Sequence, residues 1–354
     1  MKLQFRRVEG RPLITRTLTM VAVSVVVVVV FGLDRIHSAP PRVSITVLET
    51  LPGDDVGVAG DINERGQVVG YSYSRHTGEH HPVLWQNGTV TQLAGLDAAY
   101  GINDRGQVVG IRGGIEFGHA ALWNGRTVTD LDQPPNSFFS SADAMNLRGE
   151  IVGFGVIGSV DDYQFQAVVW QGSIMTELPA LPGDTGSYAA AVNGRGDIVG
   201  GSVIGTVGEF RYTPVLWRKG RPIPLASSPA AGEGASATAI NNRGQVAGNA
   251  SVAGSTHAVL WQNGTVRDLG TLPGDELSFC NDINDRGQIV GTSGVQPNFY
   301  HAVLWEAGVV IDLGALPGDN ASGAFGINNR GQVVGYSGDH AVVWQLPPPK
   351  RGGK

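Results

Sequence analysis

Cysteine is nearly absent from this sequence: Cys280 is the only one among 354 residues. A single cysteine excludes an internal disulfide framework and any metal site built from several thiolates. Charged residues are also scarce, at 16% of the chain, against an ordinary share of about 25%. The hydrophobic share of 42% is ordinary, so the chain has enough apolar side chains to fold and disorder is disfavoured.

Sequence signatures of common enzyme classes are missing as well. The chain has no nucleophile elbow, no glycine-rich phosphate loop and no close pair of distinctive carboxylates. These motifs mark many hydrolases and nucleotide-binding enzymes. We therefore predict no catalytic residues and no cofactor, and we favour a protein that is not an enzyme.

Basic charge is sparse beyond the N-terminus. The formal net charge of the chain is −6, and residues 1–40 carry a net +4, which leaves −10 for the rest. A negatively charged body gains little from displacing the counterions of phosphates. The charge distribution therefore argues against a nucleic-acid partner.

Residues 1–41 have the order of a targeting segment. Five basic residues precede an apolar run of 16 residues at 18–33, the layout of a signal peptide. The run is longer than a signal core of ~7–15 residues and shorter than a spanning helix of ~18 or more. Cleavage after Ala39 and retention as an N-terminal membrane anchor therefore both stay open. Either way we expect the body to be extracellular or periplasmic, because the basic flank stays inside.

The rest of the chain consists of seven repeats. Each repeat has an Asn before a turn, a Gly seven residues later and one Trp, with successive Asn residues 40 to 48 positions apart. A period of ~44 residues fits a four-stranded propeller blade better than a short solenoid coil. The three series are Asn63, Asn103, Asn146, Asn193, Asn241, Asn284 and Asn328; Gly70, Gly110, Gly153, Gly200, Gly248, Gly291 and Gly335; and Trp85, Trp123, Trp170, Trp217, Trp261, Trp305 and Trp344.

Each repeat reads as four short strands. In the sixth repeat we place them at residues 278–283, 288–292, 301–305 and 309–313. Asn284 favours the start of a turn and Gly287 accepts a positive φ, which predicts a hairpin with a Gly bulge between the first two strands.

The two ends of the chain complete each other. The last repeat stops at Trp344 after three strands, and a matching fourth strand stands at residues 45–51, before Pro52. Closing a ring in this way removes the exposed edges of an open row of β-units, which is the alternative. We predict an all-β fold: a seven-bladed β-propeller over residues 43–346, closed by an N-terminal strand that completes the last blade, with a flexible tail at 347–354.

The repeats resemble the HAF-repeat family of extracellular, propeller-like β-repeat proteins. That repeat is named for a His-Ala-Phe tripeptide before a Leu-Trp pair, which reads His-Ala-Val at 257–259 and 301–303 here. The Asn-x-x-Gly-x-x-x-Gly segment occurs in all seven units, and Gln166 and Thr213 replace the His in two of them. The resemblance covers about 300 residues. It implies a secreted or surface protein and brings no established activity.

The connections that follow the second strands are the predicted binding face. They vary most in length, and variable loops on a rigid scaffold are where binding residues concentrate. Aromatic faces and carboxylates suit sugar C–H faces and hydroxyls, or a protein patch. For each aromatic, the alternative is that it extends the third strand and packs between blades. The candidate ligand contacts are Phe117, Asp161, Asp162, Tyr163, Phe210, Tyr212, Phe299 and Tyr300.

Patterns that resemble metal sites have structural explanations. His76 to His80 spell the H-x-x-E-H signature, but Gly78 and a loop position do not suit the helix that this motif requires. His recurs four residues before Trp in five repeats, and we predict one hydrogen bond per blade, to an inter-blade Asp. The Asp after Leu-Pro-Gly in four repeats reads as turn capping. We therefore predict no metal ligands.

Together these features predict an exported, non-enzymatic binding module that presents its variable loops to a glycan or a protein. A carbohydrate-active hydrolase or lyase, with acids converging at the propeller mouth, stays open, and so does a purely structural surface scaffold. We expect a monomer that contacts a membrane only through the N-terminal segment, when that segment is retained.

Overall fold

The computed structural model describes residues 43–114, 116–172, 174–207, 209–226, 235–295 and 299–348. The predicted targeting segment at 1–41 and the last part of the predicted flexible tail, 349–354, lie outside these residues. The described residues form 28 β-strands and no helix. Within them, accordingly, no helix is long and apolar enough to cross a membrane.

The strands pair into seven antiparallel four-stranded sheets, the blades. Blade 1 has β2 (Val56–Ile62), β3 (Val68–Tyr73), β4 (His80–Gln86) and β5 (Thr89–Gln92); blade 2 has β6 (Ala98–Ile102), β7 (Val108–Arg112), β8 (His119–Trp123) and β9 (Val128–Asp130); blade 3 has β10 (Ser137–Met145), β11 (Glu150–Ser159), β12 (Asp162–Gln171) and β13 (Ile174–Glu177). Blade 4 has β14 (Gly186–Val192), β15 (Ile198–Ile204), β16 (Arg211–Arg218) and β17 (Arg221–Pro224); blade 5 has β18 (Ser236–Ile240), β19 (Val246–Val252), β20 (Ser255–Gln262) and β21 (Thr265–Asp268); blade 6 has β22 (Leu277–Ile283), β23 (Ile289–Val295), β24 (Phe299–Glu306) and β25 (Val309–Asp312). Blade 7 has β26 (Ser322–Ile327), β27 (Gln332–Ser337), β28 (His340–Gln345) and β1 (Ser44–Leu48).

The first strand of each blade neighbours the first strands of the two adjacent blades, and β26 of blade 7 neighbours β2 of blade 1. These inner strands therefore surround a central axis, and the blades form a complete ring. The predicted seven-bladed β-propeller is confirmed.

Local sequence explains why each blade starts with a tight hairpin. In blade 1 the N–H of Asn63 donates to the carbonyl of Gln67, and the N–H of Gly66 donates back to the carbonyl of Asn63. Gly66 adopts φ +80°, where a side chain would be strained. Gly70 lies where the first two strands come closest: a Cβ there would lie 2.1 Å from the carbonyl oxygen of Val58. The two glycines of the repeat are thus required by different constraints.

The hydrophobic core lies between blades rather than in one central cluster. One cluster joins Val290 and Leu304 of blade 6 to Trp344 of blade 7, and six comparable clusters fill the other interfaces. The Trp of the third strand anchors each interface. In six blades its indole N–H donates to a backbone carbonyl of the chain that precedes the blade, at 2.7 to 3.2 Å. The seven Trp of the repeats therefore fix blade packing.

A ring of side-chain amides ties the inner ends of the blades together. The Asn241 amide donates to the backbone carbonyl of Asn284 in the next blade, and the same bond occurs at six of the seven junctions, at 2.8 to 3.1 Å. The same amide donates to Gln245, while its oxygen accepts the N–H groups of Arg243 and Gln245. Asn241 is buried, and four hydrogen bonds satisfy its side chain.

The ring is sealed by the strand nearest the N-terminus. β1 pairs antiparallel with β28, from Ser44 opposite Gln345 to Leu48 opposite Ala341. Ile45 packs against the core between blades 6 and 7, and Leu48 packs against the core between blades 7 and 1. The closing strand begins one residue earlier and ends three residues sooner than the sequence suggests, because the chain turns towards blade 1 after Leu48. The described residues form one compact unit.

We expect the closing strand to control stability. Deleting residues 43–51 from the chain that starts at Pro41 removes Ile45 and Leu48 from two cores and exposes the edge of β28. The melting temperature should fall by roughly 10 °C or more. The control is the chain that starts at Pro41, which keeps β1 and should melt with the full-length protein. A truncated chain that melts within a few degrees of this control would contradict the role of β1.

We also expect the buried amide ring to be essential for stability, and Asn241→Ala tests one junction. The substitution leaves the N–H groups of Arg243 and Gln245 without a partner, each at a cost of about 1–3 kcal/mol, and removes the inter-blade donor to the carbonyl of Asn284. Asn320→Ala is the control, because Asn320 is exposed and its side chain makes no hydrogen bond to the described residues. Denaturant unfolding should show a loss of at least ~2 kcal/mol for the first variant and less than about half of that for the second. Equal losses would argue against the ring.

Candidate functional site

The propeller has two ends with different connections. The turn face carries the Asn-x-x-Gly turns and the turns between third and fourth strands. The loop face carries the connections between second and third strands and the links between blades. A cavity of about 430 Å³ opens at the centre of the turn face, lined by the turn asparagines and by residues beside them such as Ile62 and Asp104.

Three carboxylates lie on the inner strands. Asp61 on β2 lines the central cavity, and Asp282 holds the same place relative to the turn asparagine on β22. Asp143 is the extra residue of a β-bulge in β10, where the pairing skips from Ala142 to Ala144. All three are partly exposed, although inner strands otherwise carry mostly small or apolar residues.

Two of these carboxylates connect neighbouring blades. Asp61 accepts the N–H groups of Ile62, at 2.7 Å, and of Ile102 in the next blade, at 2.9 Å. Asp282 likewise accepts the N–H groups of Ile283, at 2.7 Å, and of Ile327, at 2.8 Å. Each carboxylate therefore bonds its own blade to the next one, as the side chains of the turn asparagines do.

Their surroundings shift their protonation. Burial raises the pKa of Asp143 to about 7, opposed by the hydrogen bond from the Ser141 hydroxyl. Burial, reinforced by the negative charge of Asp61, raises the pKa of Asp282 to about 7. Burial also raises the pKa of Asp61. The axis of the propeller therefore holds carboxyl groups that can exchange protons near neutral pH.

The loop face carries a continuous group of aromatic rings. Starting on blade 3 and ending on blade 4, each ring lies 5.6 to 6.5 Å from the next, measured between centroids. We call this group the aromatic stripe; its members are Phe139, Phe154, Phe165, Tyr163, Phe210, Tyr212 and Tyr188. None of them is fully buried, and Tyr212 is 37% exposed.

Carboxylates stand beside the stripe. Asp161 and Asp162 occupy the tip of the hairpin between β11 and β12, and both are exposed. Glu209 immediately precedes Phe210 and is also exposed. Apolar ring surface and acceptor oxygens therefore occur on the same part of the loop face.

The structure brings together only some of the candidates from the sequence. Tyr163, Phe210 and Tyr212 belong to the stripe. Phe117 is 56% exposed and contacts Phe138 instead, with centroids 6.3 Å apart. Tyr300 lies on blade 6, where its ring contacts Phe279 at 6.4 Å. Phe299 begins β24, and its side chain lies outside the described part of the chain.

For most of these candidates the alternative holds, in which they extend the third strand of the blade instead of lying in a loop. Asp162, Tyr163, Tyr212, Phe299 and Tyr300 lie in third strands. The physical reason is that β-branched and aromatic residues extend the pairing outward: β11 and β12 stay in register as far as Ser159 and Asp162. What looked like a variable loop in blade 3 is a long hairpin with a two-residue turn.

The histidines do not behave uniformly. His81 contacts the linker carboxylate of Asp54 at 3.0 Å, as expected, whereas His257 contacts Asp268 of its own blade at 3.0 Å. His301 and His340 stay 4.0 and 3.8 Å from the nearest carboxylate, too far for a hydrogen bond. The prediction of one such bond per blade is therefore wrong, because the side chains of His301 and His340 are 44% and 52% exposed and remain apart from the carboxylates.

The Leu-Pro-Gly-Asp links have a structural role. In each of four links the Asp carboxylate accepts a hydrogen bond from a Ser of the second strand, such as Ser202 to Asp184 at 2.6 Å and Ser293 to Asp275 at 2.7 Å. Across the described ranges, no group of three or more His, Cys, Asp or Glu side chains is placed to hold a metal ion.

Comparison with known proteins identifies the fold. No protein-family model matches the sequence, and neither does any curated protein. The resemblance to the HAF repeat therefore stays a prediction. The structure is similar to solved β-propellers at 10 to 12% identity, which is evidence of shared fold alone.

One similar structure is the β-propeller domain of the trilobed protease from Pyrococcus furiosus, with a TM-score of 0.54 and 11% identity over 85% of this chain and 99% of that one. Another is a catalytically inactive virginiamycin B lyase from Staphylococcus aureus with quinupristin, with a TM-score of 0.53 and 10% identity over 86% and 100%. A third, a puromycin-hydrolysing peptidase of Mycobacterium tuberculosis, gives 0.56 and 12% over 86% of this chain but only 54% of that one. These proteins differ in activity, so the fold does not determine function.

The raised pKa of Asp143 predicts a pH dependence of stability. A carboxyl group with a higher pKa in the folded protein binds its proton more tightly when folded, so its contribution is present at low pH and is lost as the pH rises through about 7. Asp143→Asn keeps an acceptor for Ser141 but cannot ionise. We expect this variant to melt higher than the parent at about pH 8 and to show a flatter Tm profile between about pH 5 and pH 8.

The control for this measurement is Asp161→Asn, which removes an exposed carboxylate at a hairpin tip. Its Tm profile should follow that of the parent protein. If Asp143→Asn also follows the parent, the Asp143 carboxyl group does not carry the proton that we assign to it.

Proposed function

We propose that this protein is an exported, non-enzymatic binding module that uses the loop face of its propeller to hold a glycan or a protein ligand. The observation that carries the proposal is the aromatic stripe. Seven rings, each in contact with at least one other and none of them fully buried, form a continuous, partly exposed apolar surface. Tyr and Phe at such positions provide large contact area at a low cost in side-chain entropy.

The charges around the stripe narrow the class of ligand. Asp161, Asp162 and Glu209 are exposed acceptors, so the ligand should offer hydroxyl, amide or cationic donors beside a flat apolar face. Sugar rings have this combination of C–H faces and hydroxyl edges. A protein segment with an exposed aromatic or basic residue has it as well. A polyanionic ligand is disfavoured on this face.

A second candidate function, carbohydrate hydrolysis or cleavage by a lyase, has one observation in its favour. Asp143 has a pKa of about 7, which suits a proton donor or acceptor at neutral pH. Asp143 lies on an inner strand, however, whereas the acids predicted from the sequence to converge lie at separate loop positions. Any turnover would therefore take place at the axis and should be abolished by Asp143→Asn.

The test is binding of the chain from Pro41 onward to a broad glycan array, with and without added calcium. The double variant Tyr163→Ala/Phe210→Ala removes two rings from the middle of the stripe, and it should weaken binding at least about tenfold. Phe117→Ala is the matched control, since it removes an exposed ring outside the stripe and should leave binding unchanged. Equal effects of both variants would argue against the stripe. A blank array would remove the glycan and leave a protein ligand.

A further inference from the structure

The turn face carries a set of arginines, at the opposite end of the propeller from the proposed ligand-binding surface. The residue before the Gly of the Asn-x-x-Gly turn is an arginine in all seven blades. We call this set the arginine ring; its members are Arg65, Arg105, Arg148, Arg195, Arg243, Arg286 and Arg330. The preceding turn position varies freely and holds Glu, Asp, Leu, Gly or Asn. The turn itself therefore does not demand a charged residue at either place.

The guanidinium groups of the ring are accessible. All seven arginines are exposed. Arg243 and Arg330 each donate to a backbone carbonyl of the next blade, at 3.4 and 3.3 Å, which does not neutralise their charge. The other five make neither a hydrogen bond nor an ion pair from the guanidinium to any described residue. Four further cations stand in the outer turns of the same face: Arg126, Arg218, Lys219 and Arg221.

The acidic groups of this face are already engaged. Asp104 accepts the N–H of Glu64, and Asp285 accepts the N–H of Asn242. Asp197 pairs with Arg218. Glu64, Glu150 and Glu306 are bonded to the side-chain amides of Asn329, Asn146 and Gln288 respectively. These hydrogen bonds orient the carboxylates without cancelling their charge, but the eleven cations of the face outnumber these six acidic groups, so the face keeps an excess of positive charge for a partner.

The chain enters and leaves the propeller on this same face. Ser44 starts β1 opposite Gln345, and the N–H of Leu346 donates to Gly331 in the turn of blade 7. In the sequence, residues 34–43 separate Ser44 from the apolar run at 18–33. Ten residues span at most ~36 Å when fully extended. A retained apolar run in a bilayer would therefore keep the turn face close to that bilayer.

We propose that the turn face is a membrane-docking surface, in which the arginine ring binds the phosphate groups of anionic phospholipids. Guanidinium groups bind phosphate oxygens through two parallel hydrogen bonds. A closed ring of them presents several such sites in one plane, as a flat lipid surface requires. The loop face bears mainly acidic residues and would be repelled by the same lipids. Docking therefore leaves the aromatic stripe pointing away from the membrane.

Vesicle binding of the chain from Pro41 onward tests this proposal without the apolar run. Flotation with phosphatidylcholine vesicles that contain about 30% phosphatidylglycerol is compared with flotation with phosphatidylcholine alone. We expect binding to the anionic vesicles only. We also expect it to be lost between about 0.05 M and about 0.5 M NaCl, because salt screens exposed charges.

Two double variants of equal charge change separate the ring from net charge. Arg105→Gln/Arg286→Gln removes two ring members whose guanidinium groups bond to no described residue, and it should weaken vesicle binding about 25-fold, at about fivefold per arginine. Arg75→Gln/Arg112→Gln removes two arginines from the loop face and should change binding less than about twofold. Near-UV circular dichroism and the melting temperature establish that both variants are folded.

Three results would overturn the proposal. The first is equal weakening by the two double variants. The second is equal binding to neutral and anionic vesicles. The third is binding to a soluble acidic polysaccharide with no binding to any vesicle, which would assign the ring to a different polyanion. Loss of glycan binding in the stripe variants, with vesicle binding intact, would separate this surface from the ligand face.

Discussion

The propeller depends on a hydrogen bond that is repeated around its axis, from the side-chain amide of one turn asparagine to the backbone carbonyl of the next. Asn241, buried and fully bonded, fixes its own hairpin and the distance to blade 6 with a single side chain. A disulfide bond cannot hold the blades together in its place, because the only cysteine of the chain is buried and free. Inner strands of small residues allow the blades to approach closely, and the amides hold them at that distance.

This constraint divides the molecule into a constant end and a variable end. The turn face repeats the same backbone geometry seven times, so any residue that the turn leaves unconstrained can be presented as a regular array. The loop face has no such requirement, and its hairpins differ in length from the long β11–β12 pair to the short connections of blade 7. The turn face can therefore provide the same weak contact several times, and the loop face can provide one specific binding site.

Much of this architecture is visible in the sequence because it is periodic. The spacing of Asn, Gly and Trp predicts the number of blades, and the incomplete last repeat predicts the closing strand. Features that do not recur in every repeat cannot be predicted from this spacing. Asp61, Asp143 and Asp282 occur in only three of seven inner strands, and their distinction is a raised pKa, which depends on how neighbouring blades surround them and not on the local sequence. The aromatic stripe likewise depends on how far β12 and β16 extend, and that is decided by pairing across strands rather than by any local motif.

The seam between β1 and β28 has a consequence for how the protein is made. Its partners lie about 300 residues apart, so the first strand to leave the ribosome waits for the last before it can pair. Contacts of such sequence separation form late, because a long loop must close first. Up to that moment the ring is open. Individual blades can therefore form one by one during synthesis. The ring closes only after the whole polypeptide has emerged, when β1 can pair with β28.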